Sequence, residues 1–198
     1  MKNVLDTGAH HNHAVQFYEN ERSLYTTVAG FLGQGLVDGQ PAILIATDEH
    51  RTAIIEHIRG RFIDVDKAVS VGTLVVLDAD ATLQRFMVNG MPDPDAFDAS
   101  IGRLVGDILT TRRSQTMIRA YGEMVDVLWK DGKGDAAIRL EMLWNRLAQQ
   151  FGFALLCGYA MGQFYKQTKQ FEAVCAQHAH VVPPHLADIP VAPNYRIQ

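Results

Sequence analysis

Short apolar runs alternate along the chain with segments in which apolar residues recur every three to four positions. Five runs read as strands: Ala14 to Phe17, Ala42 to Thr47, Leu74 to Asp78, Met117 to Tyr121 and Phe153 to Cys157. Runs with so little polar alternation belong to strands covered on both faces, as in parallel sheets. Between the first two, Leu24, Val28, Phe31 and Leu32 share one helical face, and Gly33, Gly35 and Gly39 mark that helix's end and the turn into the next strand. His50 to Arg59 reads as a second helix, Phe97, Ile101, Leu104 and Ile108 stripe a third, and Ala137, Leu140, Trp144 and Leu147 stripe another, with a short helix from Met124 to Trp129 ahead of it. A last helix carries Phe164, Thr168, Phe171, Cys175 and His178 on one side, and Val181 to Gln198, with four prolines, reads as an extended tail. Strands alternating with helices predict an α/β fold with a largely parallel, helix-covered sheet.

Composition narrows the function classes. At 198 residues, 47% of them hydrophobic, the chain is long enough to bury a core as one domain. Eighteen Lys and Arg against 22 Asp and Glu give a net charge of −4 with no basic block, so direct nucleic-acid binding is not expected. The longest apolar runs, Ala42 to Ala46 and Phe153 to Cys157, fall far short of the roughly 20 residues that span a bilayer. Two cysteines cannot build a disulfide framework, and the expected location is the cytoplasm with both thiols reduced.

A parallel sheet meets its ligands at the carboxyl ends of its strands. There the sequence offers Tyr18 and Glu19, Asp48 and Glu49, Asp78 and Asp80, Tyr121 to Glu123, and Gly158 with Tyr159. A phosphate site at that edge needs glycine-rich amides at a helix N-terminus, usually with a Lys or Arg. Tyr18 to Ser23 contains no glycine and no P-loop, so ATP is not expected as a cofactor. Glu123 could hold a ligand or an ion, or cap the helix that follows; Asp48, Asp78 and Asp80 read as cap and turn residues. Tyr18, Tyr121 and Tyr159, each with an apolar body and a polar tip, join Glu49 and Glu123 as a candidate ligand-binding rim. Cys157, Cys175 and His178 could meet under the sheet as a soft-metal or redox site, although their spacing matches no zinc signature and a free cysteine is commonly buried as a small apolar group. His10, His11 and His13 read as a solvated N-terminal cluster that could bind metal adventitiously. No nucleophile with an adjacent base is legible, so catalysis is not expected. A docking module without a small ligand, or a hydrolase using the acidic edge, are the alternatives.

The run Phe31 to Glu49, FLGQGLVDGQPAILIATDE, resembles the stretch that follows the P-loop in the circadian-clock ATPase family of RecA-like proteins. Taken with His13 to Glu19, Gly72 to Ala79, Pro92-Asp93-Pro94, Gly122 to Val125, Leu140-Glu141, Trp144-Asn145, and Cys175 followed by His178 and His180, the set resembles the MEDS domain, the sensory domain of a dichloromethane-responsive repressor and of many sensor histidine kinases. The resemblance covers about residues 13 to 183. It implies a RecA-like three-layer sandwich without a P-loop, used as a sensor input for small hydrocarbon-derived signals. The expected organisation is a disordered segment over 1–12, a sensory domain over 13–182 and a proline-rich tail over 183–198. About a dozen residues before the domain and about 15 after it are too few for a DNA-binding or kinase module. The chain is therefore expected to signal through a partner kinase or transcription regulator, or to be one piece of a larger protein; a homodimer is compatible with this.

Overall fold

The computed structural model describes residues 13–111, 117–164 and 168–182, and all that follows concerns those residues. The chain runs β1 (His13–Tyr18), α1 (Glu21–Val37), β2 (Ala42–Ala46), α2 (Asp48–Arg59), α3 (Val65–Ser70), β3 (Leu74–Asp78) and α4 (Ala79–Leu83). A hairpin of β4 (Met87–Val88) and β5 (Met91–Pro92) leads to α5 (Pro94–Phe97), a π-helical turn over Asp98–Gly102 and α6 (Arg103–Thr111). Then come β6 (Arg119–Gly122), α7 (Met124–Lys130), α8 (Gly134–Phe151), β7 (Ala154–Ala160), a 3-10 turn over Met161–Gln163, α9 (Thr168–Cys175) and β8 (His180–Val182).

Six strands form one sheet in the order β3-β2-β6-β7-β1-β8, and every neighbouring pair is parallel. The sheet is buried on both faces. Ala14, Leu44, Tyr121 and Leu156 face α1, α2 and α3, whose Leu24, Val28, Leu32, Ile54 and Ile58 complete one core. Val15, Ile43, Ala120, Leu155 and Cys157 face the other way, onto a larger core filled by Phe97, Ile101, Leu128, Leu140, Trp144 and Val174. The result is the expected α/β three-layer sandwich. Right-handed crossovers explain which helix lies where: the chain steps one way across the sheet from β1 to β3 with helices on one face, then reverses through β6 and β7 with helices on the other.

Several expectations give way to packing. Gly33 and Gly35 do not end α1 but lie inside it, and the turn comes at Gly39, where φ is +73°. Gly35 is small because a Cβ there would sit 2.7 Å from Cδ of Arg119, a buried side chain that stacks on Phe31 and donates to Gln40 Oε1 at 2.7 Å. The last helix is shorter than its periodicity predicts. Phe164 ends the 3-10 turn that precedes α9 and His178 follows α9, so the apolar side is assembled from three pieces of chain. His180–Val182, partly read as tail, forms the edge strand β8 against Ala14 to Gln16. The hairpin went unread although Asn89-Gly90, at φ of 51° and 81°, supplies the left-handed pair that a two-residue turn requires.

Trp144 lies 1% exposed on the α8 stripe, its ring edge-on to Phe97 at 5.3 Å and to Phe153 at 6.2 Å. Trp144→Ala is expected to cost about 3–5 kcal/mol, read as a fall in the urea midpoint; a shift within error would place this ring outside the core's energetics.

Candidate functional site

Two buried polar clusters stand out, one on each face of the sheet. The first occupies the carboxyl edge where β2 and β6 lie side by side but lead into helices on opposite faces, α2 and α7, which opens a crevice between them. Glu123, 2% exposed, fills it. Its Oε1 accepts from the Thr47 backbone N–H at the start of α2, and its Oε2 accepts from His50 Nδ1 at 2.7 Å and from the Tyr121 hydroxyl at 3.2 Å. The carboxylate thus takes the anion position that a helix N-terminus provides. Burial alone would raise the Glu123 carboxyl, but His50 and Thr47 hold it below its ordinary value; burial likewise pushes His50 down, and the bond to Glu123 more than reverses that. Beside this pair, Asp126 on α7 accepts from the Tyr18 hydroxyl at 3.2 Å and from the Ala160 N–H at 3.0 Å, and pairs with Lys130 at 2.8 Å. Burial and Asp126 raise the Tyr18 phenol, and burial and Glu123 push the Tyr121 phenol well up.

The second cluster lies on the opposite face, under α8. Glu141, fully buried, projects from α8 between β1, β7 and the segment after α9. Its Oε1 accepts from the Tyr159 hydroxyl at 2.9 Å and lies 3.3 Å from His178 Nε2; its Oε2 lies 3.3 Å from His13 Nε2 and 3.4 Å from Cys157 Sγ. Burial would raise the carboxyl, yet the charge of His178 and the bond from His13 hold it well below the usual carboxylate range. Burial and Glu141 push the Cys157 thiol and the Tyr159 phenol well up. A groove of about 500 Å³ runs past this cluster, lined on one side by Met142, Asn145, Arg146 and Gln149 of α8 and on the other by Ala176 to Ala179, with His13 at its base.

Of the candidate rim residues, Tyr18, Tyr121 and Glu123 share the first cluster. Tyr159, one strand position out of phase, faces the second, and Glu49 is exposed on α2. Glu123 stands at the N-cap position of α7 without capping it through its side chain; Asp48 is likewise not a cap, since α2 begins at Asp48 with Thr47 before it, and its carboxylate accepts from Arg51. Asp78 caps α4 as expected, accepting from the Ala81 N–H at 2.8 Å. Of the sulfur and imidazole candidates, Cys157 and His178 meet as anticipated, while Cys175 is half-buried and outside the cluster. His50, Asp126 and Glu141 carry no sequence expectation of a site role, and His13, expected to be solvated, is instead buried at the start of β1. Glu141 had a legible signal: a carboxylate on the apolar stripe of α8, one position past Leu140 and three before Trp144.

The profile of the family described as MEDS, the methanogen/methylotroph, DcmR sensory domain, matches residues 12–179. This chain belongs to the MEDS family. No curated protein matches it. MEDS is a family of sensory domains, which gives the chain a sensory or regulatory role. No helix among the described residues of this MEDS domain is long and apolar enough to cross a membrane.

The His50–Glu123 pair makes the stability of the MEDS domain depend on pH. Glu123 is held below its ordinary 4.5, so its contribution is present above pH 4.5 and fades as pH falls through its lowered value. His50 is held above its ordinary 6.5, so its contribution is full below pH 6.5 and fades as pH rises through its raised value. Both act fully between about pH 4.5 and 6.5. Glu21, 3.9 Å from His50 Nε2, and Glu123 favour the charged ring; Lys130 opposes it. The stability gap between wild type and His50→Gln, measured by urea melts, is expected to be widest in that window and to narrow from pH 6.5 to 8.5; a gap that does not change with pH would mean that the fold does not shift the ring's titration.

Proposed function

We propose that this MEDS domain is a non-catalytic sensor that takes a small-molecule signal in the groove beside α8 and passes the change to a partner signalling protein. The observation that carries the reading is the make-up of the groove. One wall, α8, is fixed in the sandwich through Leu140, Leu143, Trp144 and Leu147, whereas the other is the turn joining α9 to the edge strand β8. An occupant that touches both walls stabilises one placement of the turn over others, which is what a signal-dependent change requires. Asn145 already ties the walls, donating to the Gln177 carbonyl at 2.9 Å while accepting from His13. Asn145, Arg146 and Gln149 offer polar contacts, and Met142 and Ala176 offer apolar ones, a mixture suited to a small organic molecule with a polar end.

The carboxyl-edge crevice supports a second reading, in which the signal binds where Glu123 now sits. Its support is the topology, since a crevice between β2 and β6 is where doubly wound sheets take ligands.

Ligand-observed NMR against a library of small metabolites separates the two. Gln149→Trp fills the exposed wall of the groove, and Tyr121→Phe removes one donor to Glu123. Binding lost in Gln149→Trp and kept in Tyr121→Phe is the expected result. The opposite pattern moves the signal to the crevice, and a library without a binder favours a docking module that needs no small ligand.

A further inference from the structure

Four side chains from four separate elements converge on one point beneath the sheet: His13 of β1, Glu141 of α8, Cys157 of β7 and His178 after α9. Their ligand-type atoms all lie within 4.8 Å of one another. The short edges are His13 Nε2 to Cys157 Sγ at 3.2 Å, His13 Nε2 to Glu141 Oε2 at 3.3 Å, Cys157 Sγ to Glu141 Oε2 at 3.4 Å, and His178 Nε2 to Glu141 Oε1 at 3.3 Å. Tetrahedral Zn²⁺, with bonds of about 2.0–2.3 Å, holds its ligand atoms about 3.3–3.6 Å apart. From this geometry we propose that His13 Nε2, the Glu141 carboxylate, Cys157 Sγ and His178 Nε2 form a four-ligand site for a divalent transition metal ion of the Zn²⁺ type.

The surroundings are those of a ligand set. The outward nitrogen of each ring is committed: His13 Nδ1 donates to Asn145 Oδ1 at 2.8 Å and His178 Nδ1 to the Val174 carbonyl at 2.8 Å. That fixes both rings with Nε2 turned inward, the tautomer that metal-bound histidines take from such outer partners. His178 Nε2 is buried without an aligned hydrogen bond. The Tyr159 hydroxyl donates to Glu141 Oε1 and orients the carboxylate, with Oε1 toward His178 and Oε2 toward His13 and Cys157. Charge balances as well. A carboxylate, a thiolate and two neutral imidazoles around a dication sum to zero, the arrangement a buried site tolerates best. On binding, the Cys157 thiol proton leaves to solvent together with the protons that His13 and His178 hold on Nε2 toward Glu141, and the groove past His13 and His178 gives the ion its path. The mixed nitrogen, oxygen and sulfur set of four ligands suits Zn²⁺ over Mg²⁺ or Ca²⁺. The inference stands apart from the proposed signal in the groove: a metal here is detectable with no organic ligand present.

The experiment loads metal-stripped full-length protein with Co²⁺ and Zn²⁺ separately. Expected are one equivalent of either ion, a Co²⁺–thiolate charge-transfer band that Zn²⁺ abolishes, and loss of that band in Cys157→Ser but not in Cys175→Ser or the double variant His10→Ala/His11→Ala. Asn145→Ala, which frees one ring from its outer partner, is expected to weaken Zn²⁺ binding about 10- to 100-fold while keeping the band. Should Cys157→Ser not fold, X-ray absorption on Zn²⁺-loaded wild type reads the same answer, with one sulfur at about 2.3 Å and three nitrogen or oxygen neighbours at about 2.0–2.2 Å. Less than stoichiometric binding, no sulfur neighbour, or a band lost only with His10 and His11 or with Cys175 overturns the assignment.

Discussion

A fully buried carboxylate, that of Glu141, sets the terms for the face of the sandwich that carries the groove. An ionised carboxylate is costly to remove from water unless donors and opposite charge surround it, so whatever packs against α8 must supply them. Tyr159, His13, Cys157 and His178 do so from the next strand over, the first strand and the last turn. These partners are spread across almost the whole described chain, and satisfying one group therefore pulls both ends of the domain together. β8 adds to the edge of β1, and Ala179 donates to the His13 carbonyl at 2.9 Å beside the same cluster. Apolar contacts reinforce the closure: Phe171 packs on Phe17 at 4.6 Å and on Phe164 at 5.7 Å.

The sheet separates this cluster from the one at Glu123, and the division follows from the pleat. Tyr121 and Gly158 point to the α1 side, while Cys157 and Tyr159 point to the α8 side. Gly158 makes room for Tyr121 on the α1 side, since a Cβ there would meet its hydroxyl at 2.6 Å. The crevice at β2 and β6 is closed by the protein's own carboxylate on the Thr47 amide, whereas the groove beside Glu141 is open. Two sites of similar composition thus differ in what they offer a ligand, and the open one borders the end of the chain that is held by side-chain contacts and a single edge strand.

The layered α/β plan was legible because parallel strands buried on both faces leave uninterrupted apolar runs, and because α8 keeps a strict helical stripe. Rim chemistry was half legible. Locating Tyr18, Tyr121 and Glu123 at strand ends is a matter of counting, but strand phase decides which face each side chain meets, and Tyr159 lands on the other one. Glu49 and His50 are adjacent in sequence, yet the helical turn of α2 exposes the first and buries the second. The ligand-like cluster was hardest to see. Its members come at positions 13, 141, 157 and 178, so no local spacing announces them, and only the strand order β7-β1-β8 brings the first and last together. Burial and helical phase point to Cys157 and His178, while Cys175, the last residue of α9, packs against the same core without reaching the cluster.

If Glu141 is the fastening of the C-terminal corner, removing its charge must loosen that corner and little else. Amide hydrogen exchange on wild type and Glu141→Gln tests this most directly, because Gln keeps the size of the side chain and an oxygen for Tyr159. The account predicts faster exchange across α9 and β8, residues 171–182, with β2 and β3 protected as in wild type. Unchanged protection in α9 and β8, or a loss spread evenly over the sheet, would contradict it.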